Sequence, residues 1–169
     1  MLAVAARRSK TVAMSKRTHL SLFLPDEEAT DALGGLLADH LVPGDTVLLT
    51  GSIGAGKSHL SRSIIRSRLN RMEDVPSPTF TLVQTYEHPG GDIWHADLYR
   101  LSHPDEVLEL GLEEAFSTAI CLVEWPERLG RHLPRDAIQV ALSPEAEGRR
   151  AEIAFVGRPE LAEALDERP

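Results

Sequence analysis

One stretch limits what this chain can fold into more than any other. The apolar run Thr46-Val47-Leu48-Leu49-Thr50 leads directly into Gly51-Ser52-Ile53-Gly54-Ala55-Gly56-Lys57-Ser58. A strand, then G-x-x-x-x-G-K-S, then a helical pattern is the setting in which a P-loop forms. Its glycines permit a tight concave turn, because they accept positive φ and carry no Cβ. The loop's N–H groups, at the start of a helix whose dipole favours anions, can then surround phosphate oxygens. In that arrangement Lys57 reaches the β- and γ-phosphates and the Ser58 hydroxyl ligates Mg²⁺. The competing explanation is a glycine-rich turn with a chance Lys-Ser; the flanking strand and helix count against it.

The rest of the chain reads as an α/β domain built around that unit. Leu20 to Leu24 is a short strand, and Pro25-Asp26-Glu27-Glu28 opens a helix whose apolar face is Leu33, Leu36, Leu37 and Leu41. After the P-loop a helix carries Leu60, Ile64, Ile65 and Leu69 on one side and arginines on the other. Val75-Pro76-Ser77-Pro78-Thr79-Phe80 is held extended by its prolines. Thr81–Glu87 and Asp92–Tyr99 read as the strands of an antiparallel hairpin around His88-Pro89-Gly90-Gly91. Leu101 to Phe116 is helical with a stop at Gly111, and Ala119 to Val123 is a continuous apolar run of the kind found in buried central strands. Two later strands, Ile138–Leu142 and Ala151–Val156, flank a turn from Ser143 to Arg150, and a short helix from Pro159 to Leu165 follows.

Charge divides the chain unevenly. The first seventeen residues carry Arg7, Arg8, Lys10, Lys16 and Arg17 and no acid; taking those five from the formal charge of −8 leaves −13 for the remainder. So acidic a body argues against direct, phosphate-driven nucleic-acid binding, though not against a partner that holds the nucleic acid. We expect residues 1–17 to be a disordered leader, with Met14 a candidate true start, residues 18–157 to be the nucleotide-binding domain, and 158–169 a short helix and tail. No stretch has the length of a membrane span. Cys121 is the only cysteine, which rules out an intrachain disulfide and a thiolate metal cluster and makes the cytoplasm the default location.

A P-loop enzyme needs a carboxylate at the end of a neighbouring strand, to hold Mg²⁺ or to orient the attacking water. Asp97 follows Ile93-Trp94-His95-Ala96, and Glu124 follows the stronger apolar run. Acids at strand ends are where open α/β sheets put function; for Asp97 the plainer alternative is a salt bridge to Arg100. Ser77 and Thr79 offer hydroxyls where segments that sense a γ-phosphate often sit, unless Thr79 only shapes a turn. His95 reads as structural, His59 as packing within its helix, and Trp125 as a packing anchor beside Pro126. Of Arg149 and Arg150, one can reach a nucleotide, although paired arginines in a turn are usually solvated. The sole asparagine, Asn70, lies in a helix, so no N-K-x-D guanine-reading motif exists and ATP is favoured over GTP.

These motifs together resemble the TsaE (YjeE) family, the ATPase subunits of the bacterial machinery that makes threonylcarbamoyladenosine in tRNA. The resemblance rests on Leu24-Pro25-Asp26-Glu27, the P-loop, Ser77-Pro78-Thr79-Phe80-Thr81-Leu82-Val83, His95-Ala96-Asp97-Leu98-Tyr99-Arg100-Leu101 and Ile120-Cys121-Leu122-Val123-Glu124-Trp125-Pro126. It departs from the family at Ser58 and His59, where two threonines are usual. The resemblance implies a P-loop NTPase fold with a mixed, mostly parallel sheet and helices on both faces. It implies slow, partner-dependent ATP hydrolysis with TsaD-like and TsaB-like subunits, tRNA being met only through that complex. Glu27 would lie near adenine, Ile53, Gly54, Ala55, Gly56, Lys57 and Ser58 would hold the phosphates, and Arg149 is a further contact. Ser58 and Glu124 would hold Mg²⁺, with Asp97, Glu124 and Thr79 as the catalytic set. Two other classes compete: a small-molecule P-loop kinase, whose lid could use only Arg128 and Arg131, and a nucleotide-dependent interaction module with negligible turnover.

Overall fold

The structure is a computed structural model that describes residues 19–71, 74–78 and 80–167. The basic leader of residues 1–17 and Thr79 lie outside the described residues. Seven strands form one sheet: β1 (His19–Leu24), β2 (Thr46–Thr50), β3 (Val83–Tyr86), β4 (Ile93–Asp97), β5 (Ile120–Glu124), β6 (Ile138–Glu145) and β7 (Gly148–Phe155). Their order across it is β1-β7-β6-β2-β5-β4-β3. β6, β2, β5 and β4 pair in parallel, and β7 and β3 run against them. β1 is antiparallel to β7 and so shares the direction of the central four. The sheet is mixed and mostly parallel, with the P-loop strand β2 in its middle.

Helices cover both faces. On one side lie α1 (Glu27–His40), α2 (Lys57–Leu69) and α5 (Glu160–Asp166), packed on Val47, Leu49, Ile120, Leu122, Ile138 and Val140. On the other side α3 (Glu106–Leu110), α4 (Leu112–Thr118) and a 3₁₀ turn at Pro126–His132 cover Leu48, Ala96, Cys121 and Val123. Residues 47–49 and 120–123 thus alternate between two cores, as a strand's period of two requires. Such a strand, buried on both faces, is apolar throughout.

Local chemistry sets the helix ends. Asp26 caps α1, its carboxylate accepting the Ala29 N–H at 2.8 Å, an interaction of about 1 kcal/mol. A Cβ on Gly34 would overlap that of Ser63, so the α1–α2 crossing depends on glycine there. Gly111, at φ +79°, separates α3 from α4 at the expected stop.

Three local differences from expectation have clear causes. β3 starts at Val83 rather than Thr81, because Leu82 adopts φ +66° and interrupts the strand. The helical stretch begins at Glu106 instead of Leu101, after Leu98 and Leu101 have been drawn into the core. The β6–β7 turn is far tighter than Ser143–Arg150. Glu145 pairs with Gly148, so only Ala146 and Glu147 form the loop, and both arginines lie within β7.

Candidate functional site

Parallel pairing of β4 with β5 sets Asp97 directly beside Glu124, and pairing of β5 with β2 sets Glu124 beside Leu49. Both acids therefore stand at the carboxyl edge of the sheet, where β2 gives way to the loop before α2. Strand alternation gives them a common side: Ile120, Leu122 and Glu124 share one face of β5, as Ile93, His95 and Asp97 share one face of β4. Ile93, Ile120 and Leu122 belong to the core beneath α1 and α2. The acids consequently project toward the start of α2.

There Ser58 Oγ donates to Glu124 Oε1 at 2.8 Å, and Glu124 Oε2 meets His95 Nε2 at 2.7 Å. Glu124 and His95 are 2% and 0% exposed. Lys57 Nζ donates to the carbonyls of Gly51 and Ser52 at 2.6 and 2.9 Å and lies 4.4 Å from the Trp125 ring centre. Burial pushes the Lys57 ammonium below the usual lysine range, while the carboxylates of Glu124, Asp97 and Glu127 pull it back up. Asp97 is held less tightly: Oδ1 accepts the Tyr99 N–H at 3.2 Å and Oδ2 the Ser77 hydroxyl at 3.4 Å. Its neighbour Arg100 instead places its guanidinium over Phe80, 4.8 Å from the ring centre.

A cavity of about 470 Å³ opens over this cluster. Glu27, Ile53, Gly54, Gly56, Lys57, Ser58, Asp97, Glu124 and Arg149, all singled out from the sequence, line it. Ala55 does not; its methyl is buried in the core, and only its backbone belongs to the loop. Gly56 sits at φ +106°, and a Cβ there would overlap the Arg149 guanidinium. Arg149 Nη1 is buried without a hydrogen-bond partner among the described residues. A buried N–H without an acceptor is unfavourable unless a ligand such as an anion completes it. With the uncapped start of α2, it makes this donor set fit a phosphate chain.

The sequence undervalued several residues. Trp125 lines the cavity as well as packing: a left-handed backbone (φ +60°) before Pro126 places its indole near Lys57, 5.0 Å from the Tyr99 ring. His59 reaches across to α1, where Nε2 lies 2.8 Å from Asp31 Oδ1, and lines the cavity with Arg62, Ser77 and Tyr99. His95 looked structural yet contacts Glu124; its place two residues before Asp97, on the same strand face, was the available signal. Arg131, one of the two arginines considered for a kinase lid, forms an exposed ion pair with Asp105 at 2.8 Å. Among the described residues no helix is long and apolar enough to cross a membrane.

The family model for the threonylcarbamoyl adenosine biosynthesis protein TsaE matches residues 24–152. This chain belongs to the TsaE family. Proteins with the name tRNA threonylcarbamoyladenosine biosynthesis protein TsaE are similar to it over most of its length. The one from Rickettsia felis is 43% identical over 76% of this chain and 75% of its own. That from Haemophilus influenzae is 36% identical over 79% and 88%. The crystal structure of Bacillus subtilis YdiB superposes with a TM-score of 0.73 at 28% identity, covering 89% of this chain and 95% of that one. The TsaE match spans every described element of the cavity, from Glu27 to Arg149, and ties this nucleotide-binding fold to threonylcarbamoyladenosine biosynthesis.

Proposed function

We propose that this TsaE-family protein binds ATP with Mg²⁺ in the cavity and hydrolyses it slowly, acting on TsaD-like and TsaB-like partners in the tRNA-modifying complex. The observation that carries this reading is the hydrogen bond from Ser58 to Glu124 at the start of α2, in a cavity also lined by Arg149, whose buried Nη1 has no partner among the described residues. In it the P-loop N–H groups and Lys57 take the β- and γ-phosphates. Lys57 exchanges two loop carbonyls for phosphate oxygens. Arg149 adds a second cation from the far side of the loop, and Glu27 marks the adenosine end. Ser58 and Glu124 hold Mg²⁺, which when bound neutralises phosphate charge. Asp97 orients the attacking water, tied through Ser77 to the segment before β3. Thr79, two residues further along, is assigned to the same catalytic set.

The acidic surface fits a subunit that meets tRNA only through its partners. The test is ATP hydrolysis measured with and without purified TsaD-like and TsaB-like proteins, alongside titration with ATP·Mg²⁺. Partner-stimulated turnover supports the proposal. Tight binding with no turnover in either condition would convert it to a nucleotide-dependent interaction module.

A further inference from the structure

Glu124 is held from two sides, and only one of them belongs to the P-loop. Ser58 donates to Oε1, and His95 meets Oε2 from deep within β4. An ionised carboxylate can only accept, so in this pair the imidazole donates through Nε2–H. Nδ1 is buried and has no hydrogen-bond partner among the described residues. The contact with Glu124 is thus the polar interaction the ring makes. A histidine present only to fill space would leave two buried polar atoms where an apolar side chain leaves none.

We propose that His95 is a positioning residue for the metal-binding acid. Resting on the Mg²⁺ assignment of Ser58 and Glu124 above, its role is to donate Nε2–H to Glu124 Oε2. This fixes the carboxylate rotamer with Oε1 facing Ser58 and the cation. The strands make the support rigid: His95 pairs in register with Leu122, two residues before Glu124, between β3 and β5. Without the donor, one oxygen of a buried carboxylate is left unsatisfied, and the side chain gains a reason to turn from the cavity. Outer partners of this kind typically govern about 10- to 100-fold in metal affinity. Asp97, with two longer hydrogen bonds and no imidazole behind it, has no equivalent support.

The test separates donor from volume. His95→Gln keeps an N–H near the Nε2 position; His95→Met is of similar length and donates nothing, and His95→Leu is a second donor-free variant should the methionine form not fold. ADP affinity is measured by calorimetry with and without Mg²⁺, with thermal denaturation in parallel. The expected result is that the wild type binds ADP more tightly with Mg²⁺ and that the donor-free variants lose about tenfold or more of that gain. Their Mg²⁺-free affinity stays unchanged, and His95→Gln keeps most of the gain. Full Mg²⁺ gain in a donor-free variant, even one of lowered melting temperature, overturns the proposal. So does an equal loss in Gln and Met, which would assign the effect to packing. A wild type without any Mg²⁺ gain refutes the metal assignment itself.

Discussion

The centre of the sheet and its β3 edge present two acids side by side in very different surroundings. Glu124 ends a strand buried on both faces, and both its oxygens are engaged at 2.7–2.8 Å by side chains on other elements. Asp97 ends a strand whose outer neighbour is a four-residue antiparallel edge strand, and its bonds are 3.2 and 3.4 Å long. Around Asp97, Leu82 holds a left-handed backbone and Phe80 is 83% exposed. Short bonds inside a core describe a group whose position is set before any ligand arrives. Longer ones beside a proline-stiffened segment describe a group that can settle late. That contrast is the basis for our proposal that the centre serves ground-state metal binding and the edge the hydrolytic step.

Mutations can break or sharpen that division. The largest effect belongs to Lys57→Ala, since charge-assisted bonds to phosphate are worth about 1.5–3 kcal/mol each. ATP affinity by calorimetry should fall about 100-fold or more with circular dichroism unchanged; unchanged affinity in a folded variant removes the P-loop assignment. Next, Glu124→Gln should lose both the Mg²⁺-dependent gain in ADP affinity and turnover, each by about 10- to 100-fold. Asp97→Asn should slow single-turnover hydrolysis by about tenfold or more while ADP·Mg²⁺ affinity stays within about threefold. If these two outcomes are exchanged, so are the two roles.

Arg149→Met bears on a cation on the opposite wall. Removing a side chain whose buried Nη1 lacks a partner should leave the ligand-free melting temperature equal or higher, yet lower ATP affinity about tenfold. A large thermal loss would instead make Arg149 structural. The smallest expected signal comes from Cys121, on β5 three residues before Glu124. Burial pushes its thiol up from 9.0 to about 12. It should stay protonated at neutral pH and resist alkylation until the protein unfolds. The unfolded thiol ionises first as pH rises above about 9, so this group's contribution to stability declines from there toward pH 12. Rapid labelling of native protein would mean that the β5 core opens easily.

Much of this was readable before any coordinates. The strand–loop–helix around Lys57 is local in sequence, and its glycine and lysine spacing follows from loop geometry alone. Asp97 and Glu124 could be named because each follows an apolar strand and a strand end is a local signal. The helix stop at Gly111 and the cap at Asp26 are also short-range effects. Roles that depend on what crosses from another element were harder to see. His95 looks like any histidine between apolar neighbours until β5 brings Glu124 to its Nε2. His59 looked like filler in α2 until α1 supplied Asp31. Trp125 and Arg149 needed, respectively, a backbone turn before Pro126 and a hairpin tighter than its residues suggested.

The sequence by itself determined the alternation of strands and helices, the phosphate-binding loop and the two acids available to it, because these depend on periodicity and spacing within a few residues. Tertiary structure alone decided the strand order that sets Glu124 between Ser58 and His95, the looser setting of Asp97, and the Arg149 guanidinium over Gly56. Apart from the short-range Tyr99 bond to Asp97, those contacts join residues 20 to 93 positions apart. Their geometry comes from sheet register and core packing, which no local pattern encodes.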